Sequence, residues 1–202
     1  MQDAKRVFFH ELGHFIAHEI NKNDFGVGNG VGKIIIAPHP TNPKYFEGFT
    51  KLIHSSDERE RKVPALAVLP EYLASSIYGC IFQAYYKRED TLNPCVNFNG
   101  ANDLAQWSSC IAHYKLEEAR HEFLALETNH LISLLETSAL DEFMALNPLK
   151  YLEESDNQMF DVDVSLLRAD TSSSVLNHSS HYKSLVYGYR KIMRDSISQR
   201  SN

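Results

Sequence analysis

The sequence predicts a mainly α domain carrying one small β-hairpin or ribbon, and three observations carry that reading. Apolar residues recur every three or four positions over 3–21, 64–86 and 102–140, the period of helices that bury one face. Only two short segments, 33–36 and 49–53, have the β-branched and aromatic character of strands, with a cluster of prolines between them. At 202 residues, 43% hydrophobic and 23% charged, the chain can bury about two-thirds of its unfolded surface without disulfide staples, and its composition excludes wholesale disorder.

The first helix spans 3–21, with Asp3 as its expected cap and Asn21, Asn23 and Gly26 as its stop. At about 100° per residue, Phe8, Phe9, Leu12, Phe15, Ile16 and Ile20 share one arc of about 140° and form the expected core face. His10 and His14 fall about 200° and 240° from Phe8, and Glu11 about 300°, away from that stripe. Gly26, Gly28, Gly30 and Gly32 before Lys33 imitate a phosphate loop, but Val27 replaces its first glycine and Ile34 its Ser/Thr, so a nucleotide site is excluded. The stretch is expected to be a loop feeding a strand at 33–36, a turn at Pro38, Pro40 and Pro43, and a second strand at 49–53.

A charged loop is expected at 55–62, then an apolar, aromatic-rich helix at 64–86, kinked or split at Pro70. A turn-rich connector at 93–100 leads to a helix marked by Leu104, Trp107, Ile111 and Tyr114, and a longer one at 115–140 carries Leu116, Phe123, Leu131, Leu134 and Leu135. Beyond Asn147 and Pro148 the composition shifts, and the serine- and histidine-rich 169–184 reads as a linker before a basic terminal helix at 182–198, a solvated tail rather than a docking element. The expected organisation is therefore a domain at 1–146 and a partly disordered C-terminal extension at 147–202 that ends in a helix.

Net charge is −6 at pH 7, which excludes a broad cationic field and with it nucleic acid as a partner. Apolar runs fall short of the ~18 residues of a membrane span, and no secretory leader opens the chain, so the expectation is a cytoplasmic protein with no membrane span. Cys80, Cys95 and Cys110 form no C-x-x-C pair and are expected to be reduced, half-buried small hydrophobes.

Histidine is the informative residue. His10-Glu11-Leu12-Gly13-His14 is H-E-x-x-H on an expected helix. Residues four apart share a face, so both imidazoles can reach one Zn²⁺ while Glu11 reaches a water beside it. Roughly 0.04 such matches are expected by chance in a chain of this composition, so the motif outweighs a reading as two surface histidines. His18 lies about 12 Å along the axis from His10, too far to share one tetrahedral zinc. The continuation that marks metzincins is absent, because Ala17 and Ile20 stand where its Gly and His belong. The third ligand must come from elsewhere in the chain.

Four ordered segments, Arg6-Val7-Phe8-Phe9-His10-Glu11-Leu12-Gly13-His14, Gly32-Lys33-Ile34-Ile35-Ile36-Ala37-Pro38, Gly48-Phe49-Thr50 and Asn99-Gly100-Ala101-Asn102-Asp103-Leu104, resemble the peptidase domain of FtsH-type, AAA-coupled zinc metalloproteases. Those read H-E-A-G-H, I-x-P, G-Y-T and G-A-S-N-D-L, and the resemblance covers residues 4 to 145. It implies a zincin-like helical peptidase domain in which His10 and His14 bind Zn²⁺, Glu11 is the general base and Asp103 is the third ligand. Without it, Asp103 reads as a helix cap. Two imidazoles and one carboxylate leave a position for water, as catalytic zinc sites do. The segment 34–37, if a sheet edge beside the zinc, would pair with an extended substrate.

This chain departs from the family where Gly79-Cys80-Ile81-Phe82-Gln83-Ala84-Tyr85 replaces G-G-R-x-A-E-E, losing an arginine and two acids. Nine residues precede His10, so the expectation is a peptidase domain with no ATPase module or membrane segment of its own ahead of the motif. The expected activity is thus a zinc-dependent endopeptidase for flexible or unfolded polypeptides, working as a homo-oligomer or with a separate ATPase. Two alternatives are a regulatory peptidase that cleaves repressors, suggested by His18 after the motif but lacking the later A-N-x-F-A stretch, and a peptidase-like adaptor binding through the aromatic segment 78–86.

Overall fold

The computed structural model describes residues 2–53, 63–97, 100–155 and 158–200. The charged loop expected at 55–62 and Asn99 lie outside them. The helices are α1 (Gln2–Ile20), α2 (Leu69–Lys87), α3 (Asn93–Val96), α4 (Ala101–His113), α5 (Arg120–Glu136), α6 (Asp141–Met144) and α7 (Val164–Arg200). The strands are β1 (Val31–His39), β2 (Asn42–Leu52), β3 (Leu152–Glu154) and β4 (Phe160–Val162), which form one antiparallel sheet in the order β2-β1-β4-β3. The protein is mainly helical with a small sheet, as its periodicity predicts. Among the described residues no helix is long and apolar enough to cross a membrane.

The six residues of the α1 stripe are all at most 2% exposed, and each large apolar side chain so buried contributes about 2 kcal/mol. The opposite face of α1 is buried as well. His10, Glu11 and His14 are enclosed because α2 crosses α1 at very short range: a Cβ on Gly13 would lie 2.4 Å from the Tyr78 carbonyl oxygen and 2.9 Å from Gly79 Cα. α1 gives way to a single π turn, Asn21–Phe25, closed by Gly26 at φ 64°, where the missing Cβ removes the strain. Asp3 does not cap the helix. Its carboxylate accepts from the Arg6 guanidinium at 2.6 Å and from the Phe46 N–H at 2.6 Å, fastening the start of α1 to β2.

Other boundaries move for local reasons. Pro70 opens α2 instead of kinking a longer helix, after a 3₁₀ turn at Leu66–Val68. Proline lacks the N–H that a helix's first turn leaves unused, so it fits there. The helix expected at 115–140 starts at Arg120, since Lys115 adopts φ 55° and a 3₁₀ turn, Glu117–Ala119, follows.

The largest corrections concern the extension and the hairpin. Residues 169–184, expected as a linker, lie inside α7, which buries Leu167, Val175, Tyr182, Leu185, Tyr189 and Met193 against the core. The basic end is likewise no solvated tail: Arg190 pairs with buried Glu71, and Lys183 with Asp24 at 3.1 Å. The segment 147–202 also supplies β3 and β4, and β4 pairs Val162 with Ile34 and Phe160 with Ile36. Ile34–Ile36 therefore lie between β2 and β4. β2, not β1, is the sheet edge beside the histidines. All three cysteines are free and fully buried rather than half-buried.

Candidate metal centre

α1 places His10 and His14 one turn apart, and the first turn of α4 brings Asp103 to both. His10 Nε2 and His14 Nε2 lie 3.1 Å and 3.3 Å from Asp103 Oδ2, and 3.1 Å from each other. Ligand bonds of 2.0–2.2 Å in a tetrahedron put donors about 3.3 Å apart. The triangle of donor atoms thus has the size of one face of a zinc site, and the fourth corner points away from it.

Ring orientation is controlled from the far side. His14 Nδ1 donates to the Ser75 carbonyl at 2.8 Å, which fixes the tautomer with the Nε2 lone pair toward Asp103. His10 Nδ1 meets Cys95 Sγ at 3.4 Å. Two nitrogens and a carboxylate oxygen so close repel unless a proton or a metal cation joins them. Burial alone would depress the His10 and His14 pKa values, but the Asp103 carboxylate outweighs it and raises both. Burial opposes ionisation of Asp103, and the two imidazoles overcome it, holding that carboxyl far below the usual carboxylate range.

Glu11 sits one step round α1, 4% exposed, its Oε2 accepting from Thr50 Oγ1 at 2.7 Å. Two glycines make the arrangement sterically feasible. A Cβ on Gly79 would lie 2.4 Å from His14 Nε2, and one on Gly48 would lie 2.3 Å from Glu11 Oε1. The donors line a cleft of about 1380 Å³ together with Gly48–Leu52 of β2, Ile53 just after it, and Val68, Tyr72 and Ser76. Asp103, with 23% of its side chain exposed, faces the opening.

The structure therefore brings His10, Glu11, His14 and Asp103 to one place. His18 lines the cleft farther along and is not in the donor group. Ser75 and Cys95 escaped the sequence reading: Ser75 acts through its carbonyl, which every residue has, and Cys95 has no spacing relation to His10. Gly79 and Thr50 carried only motif positions, with no stated role. Comparison with protein-family models, curated proteins and solved structures found no match for this chain.

Proposed function

We propose that this protein is a zinc-dependent endopeptidase with a zincin-like, FtsH-type centre, hydrolysing flexible or unfolded polypeptides. The observation that carries the reading is the triangle of His10 Nε2, His14 Nε2 and Asp103 Oδ2 with the carboxylate of Glu11 beside it. Zinc bound there supplies Lewis acidity, lowering the pKa of a water toward ~7 and polarising the scissile carbonyl. The remaining work belongs to the chain. Glu11, oriented by Thr50, takes the proton of the attacking water and delivers it to the departing amine. Ser75 and Cys95 hold the two rings in register. The edge of β2 offers main-chain N–H and C=O groups to an extended segment, which a flexible chain can present and a folded one cannot. Three buried free thiols suit the reducing interior of the cytoplasm. The chain would work as a homo-oligomer or beside a separate ATPase, and only the latter could deliver folded substrates.

Purified under mild conditions, the chain is expected to hold one zinc. Glu11→Gln is expected to keep that zinc and to lower hydrolysis of a disordered polypeptide by about 10²–10⁴-fold. A wild-type protein that neither retains zinc nor takes it up on reconstitution overturns the reading.

A further inference from the structure

Cys80 has no part in the chemistry above and Cys95 enters it only as a rest for the His10 ring, yet both stand directly behind His10. Cys80 follows Gly79 on α2 and Cys95 lies in α3, both with no exposed surface. Cys95 Sγ contacts His10 Nδ1 at 3.4 Å, and one ring nitrogen of His10 and the two sulfurs all lie within 4.8 Å of one another. Gly100 closes the far side. A Cβ there would fall 2.3 Å from Cys80 Sγ and 3.3 Å from Cys95 Sγ, and the Gly100 N–H donates to the Cys95 carbonyl at 2.9 Å. The backbone is thus drawn tightly over the two sulfurs. Packing alone would be served by any small apolar pair. Contact with the outer nitrogen of a ligand imidazole adds a consequence, because the partner at Nδ1 sets both the ring's orientation and the basicity of Nε2.

We propose that Cys80 and Cys95 form an oxidation site that governs the metal centre: as thiols they hold His10 through Cys95 Sγ, and as a Cys80–Cys95 disulfide they release it. The inference rests on the metal-centre reading. A peroxide is the oxidant. The sulfur of one thiol attacks a peroxide oxygen, the O–O bond breaks, and a sulfenic acid and one water result. The second sulfur then displaces the sulfenic hydroxyl as another water and closes the S–S bond. Two thiols are oxidised, one peroxide is reduced, and both thiol protons leave in the waters. With Nε2 turned to the metal, His10 Nδ1–H donates to Cys95 Sγ, and a disulfide sulfur accepts poorly, so His10 Nδ1 loses its partner. Peroxide is scarcely larger than water and reaches the pair during local opening.

The experiment treats the full chain with hydrogen peroxide, blocks residual thiols and reads two quantities: the Cys80–Cys95 cross-link by mass spectrometry of a digest, and zinc affinity by competition with a chromophoric chelator. The cross-link is expected to form, to weaken zinc binding about tenfold or more, and to reverse with dithiothreitol. Cys80→Ser, with Cys80→Ala as a second variant should serine not fit, keeps the Cys95–His10 contact and is expected to hold zinc affinity within about twofold after peroxide. Cys110→Ser, on α4, should respond as the wild type does. Absence of the cross-link, a cross-link that leaves zinc affinity unchanged, or equal loss in both Cys80 variants overturns the proposal. A chain that binds no zinc before oxidation overturns the metal-centre reading instead, while the cross-link remains readable by mass.

Discussion

His14 is held from both ends: its Nδ1 donates to the Ser75 carbonyl while its Nε2 meets His10 and Asp103. Such fixed rings lose little freedom when a cation arrives, so each ligand's worth should be visible in affinity alone. Asp103→Ala is expected to weaken zinc binding by about 100-fold or more, whereas His18→Ala should leave it within about twofold. Chelator competition measures both, and equal losses would reassign the third ligand. Gly79→Ala pushes a methyl into the space of His14 Nε2. It is expected to destabilise by about 1–3 kcal/mol and to lower zinc affinity more than tenfold by displacing a ring, checked by urea unfolding beside the same competition assay. Thr50→Ala should keep zinc and lower kcat about tenfold by freeing the Glu11 carboxylate to rotate. At this scale the two histidines and Glu11 were legible because a four-residue spacing has a direct geometric meaning on a helix. Asp103 was legible only through the order of several short motifs. Ser75 and Cys95 were not, since a carbonyl contact and a contact across 85 positions leave no local pattern.

Among the elements, α1 was the most readable, for its apolar stripe and stop signal are both local. α7 was the least. Its buried positions, Leu167, Thr171, Val175, His178, Tyr182, Leu185, Tyr189 and Met193, step by three and four like any amphipathic helix, but Thr171, His178 and the serines between them dilute the apolar signal. Two of the buried polar members find partners within the fold: Thr171 Oγ1 donates to the Leu167 carbonyl at 2.7 Å, and His178 Nε2 pairs with the Tyr78 hydroxyl. Leu185→Ala is therefore expected to cost about 2–5 kcal/mol by urea unfolding, where a solvated tail would lose less than about 0.5 kcal/mol. β1 misled for a related reason: the strand that covers it, β4, lies more than a hundred residues away and is only three residues long.

For the whole molecule, buried titratable groups set the response to pH. Burial, with His181 nearby, pushes His178 down to about 3, and burial likewise takes His130 to about 4. Both stay neutral when folded and take up protons near pH 6.5 when unfolded, so stability is intact above pH 6.5 and falls as acid is added. Glu127 runs the other way. Burial raises it to about 7 despite the Tyr189 hydroxyl bonded to it, so its contribution is complete below pH 4.5 and is lost as pH rises through 7. Between pH 4.5 and 6.5 two histidines oppose one carboxyl. The net is a loss of about 1.4 kcal/mol per unit of acidification, which urea unfolding at pH 5 and 6 would measure and His178→Gln should abolish. A slope of the opposite sign would refute the assignment of the neutral histidines.

The pairing of Arg168 with Glu19, at 2.9 and 3.0 Å and 149 positions apart, has a consequence for how the protein is made. The same guanidinium also donates to the Val31 carbonyl at 2.8 Å. Glu19 belongs to the helix that bears His10 and His14, and its partner is synthesised 149 positions later. During synthesis at about 5–20 residues per second, the H-E-x-x-H helix waits roughly 7–30 s before Arg168 of α7 can reach it. Until then Glu19 stands in the nascent helix without the guanidinium that ties it to α7, so the helix bearing the two histidines is fastened late.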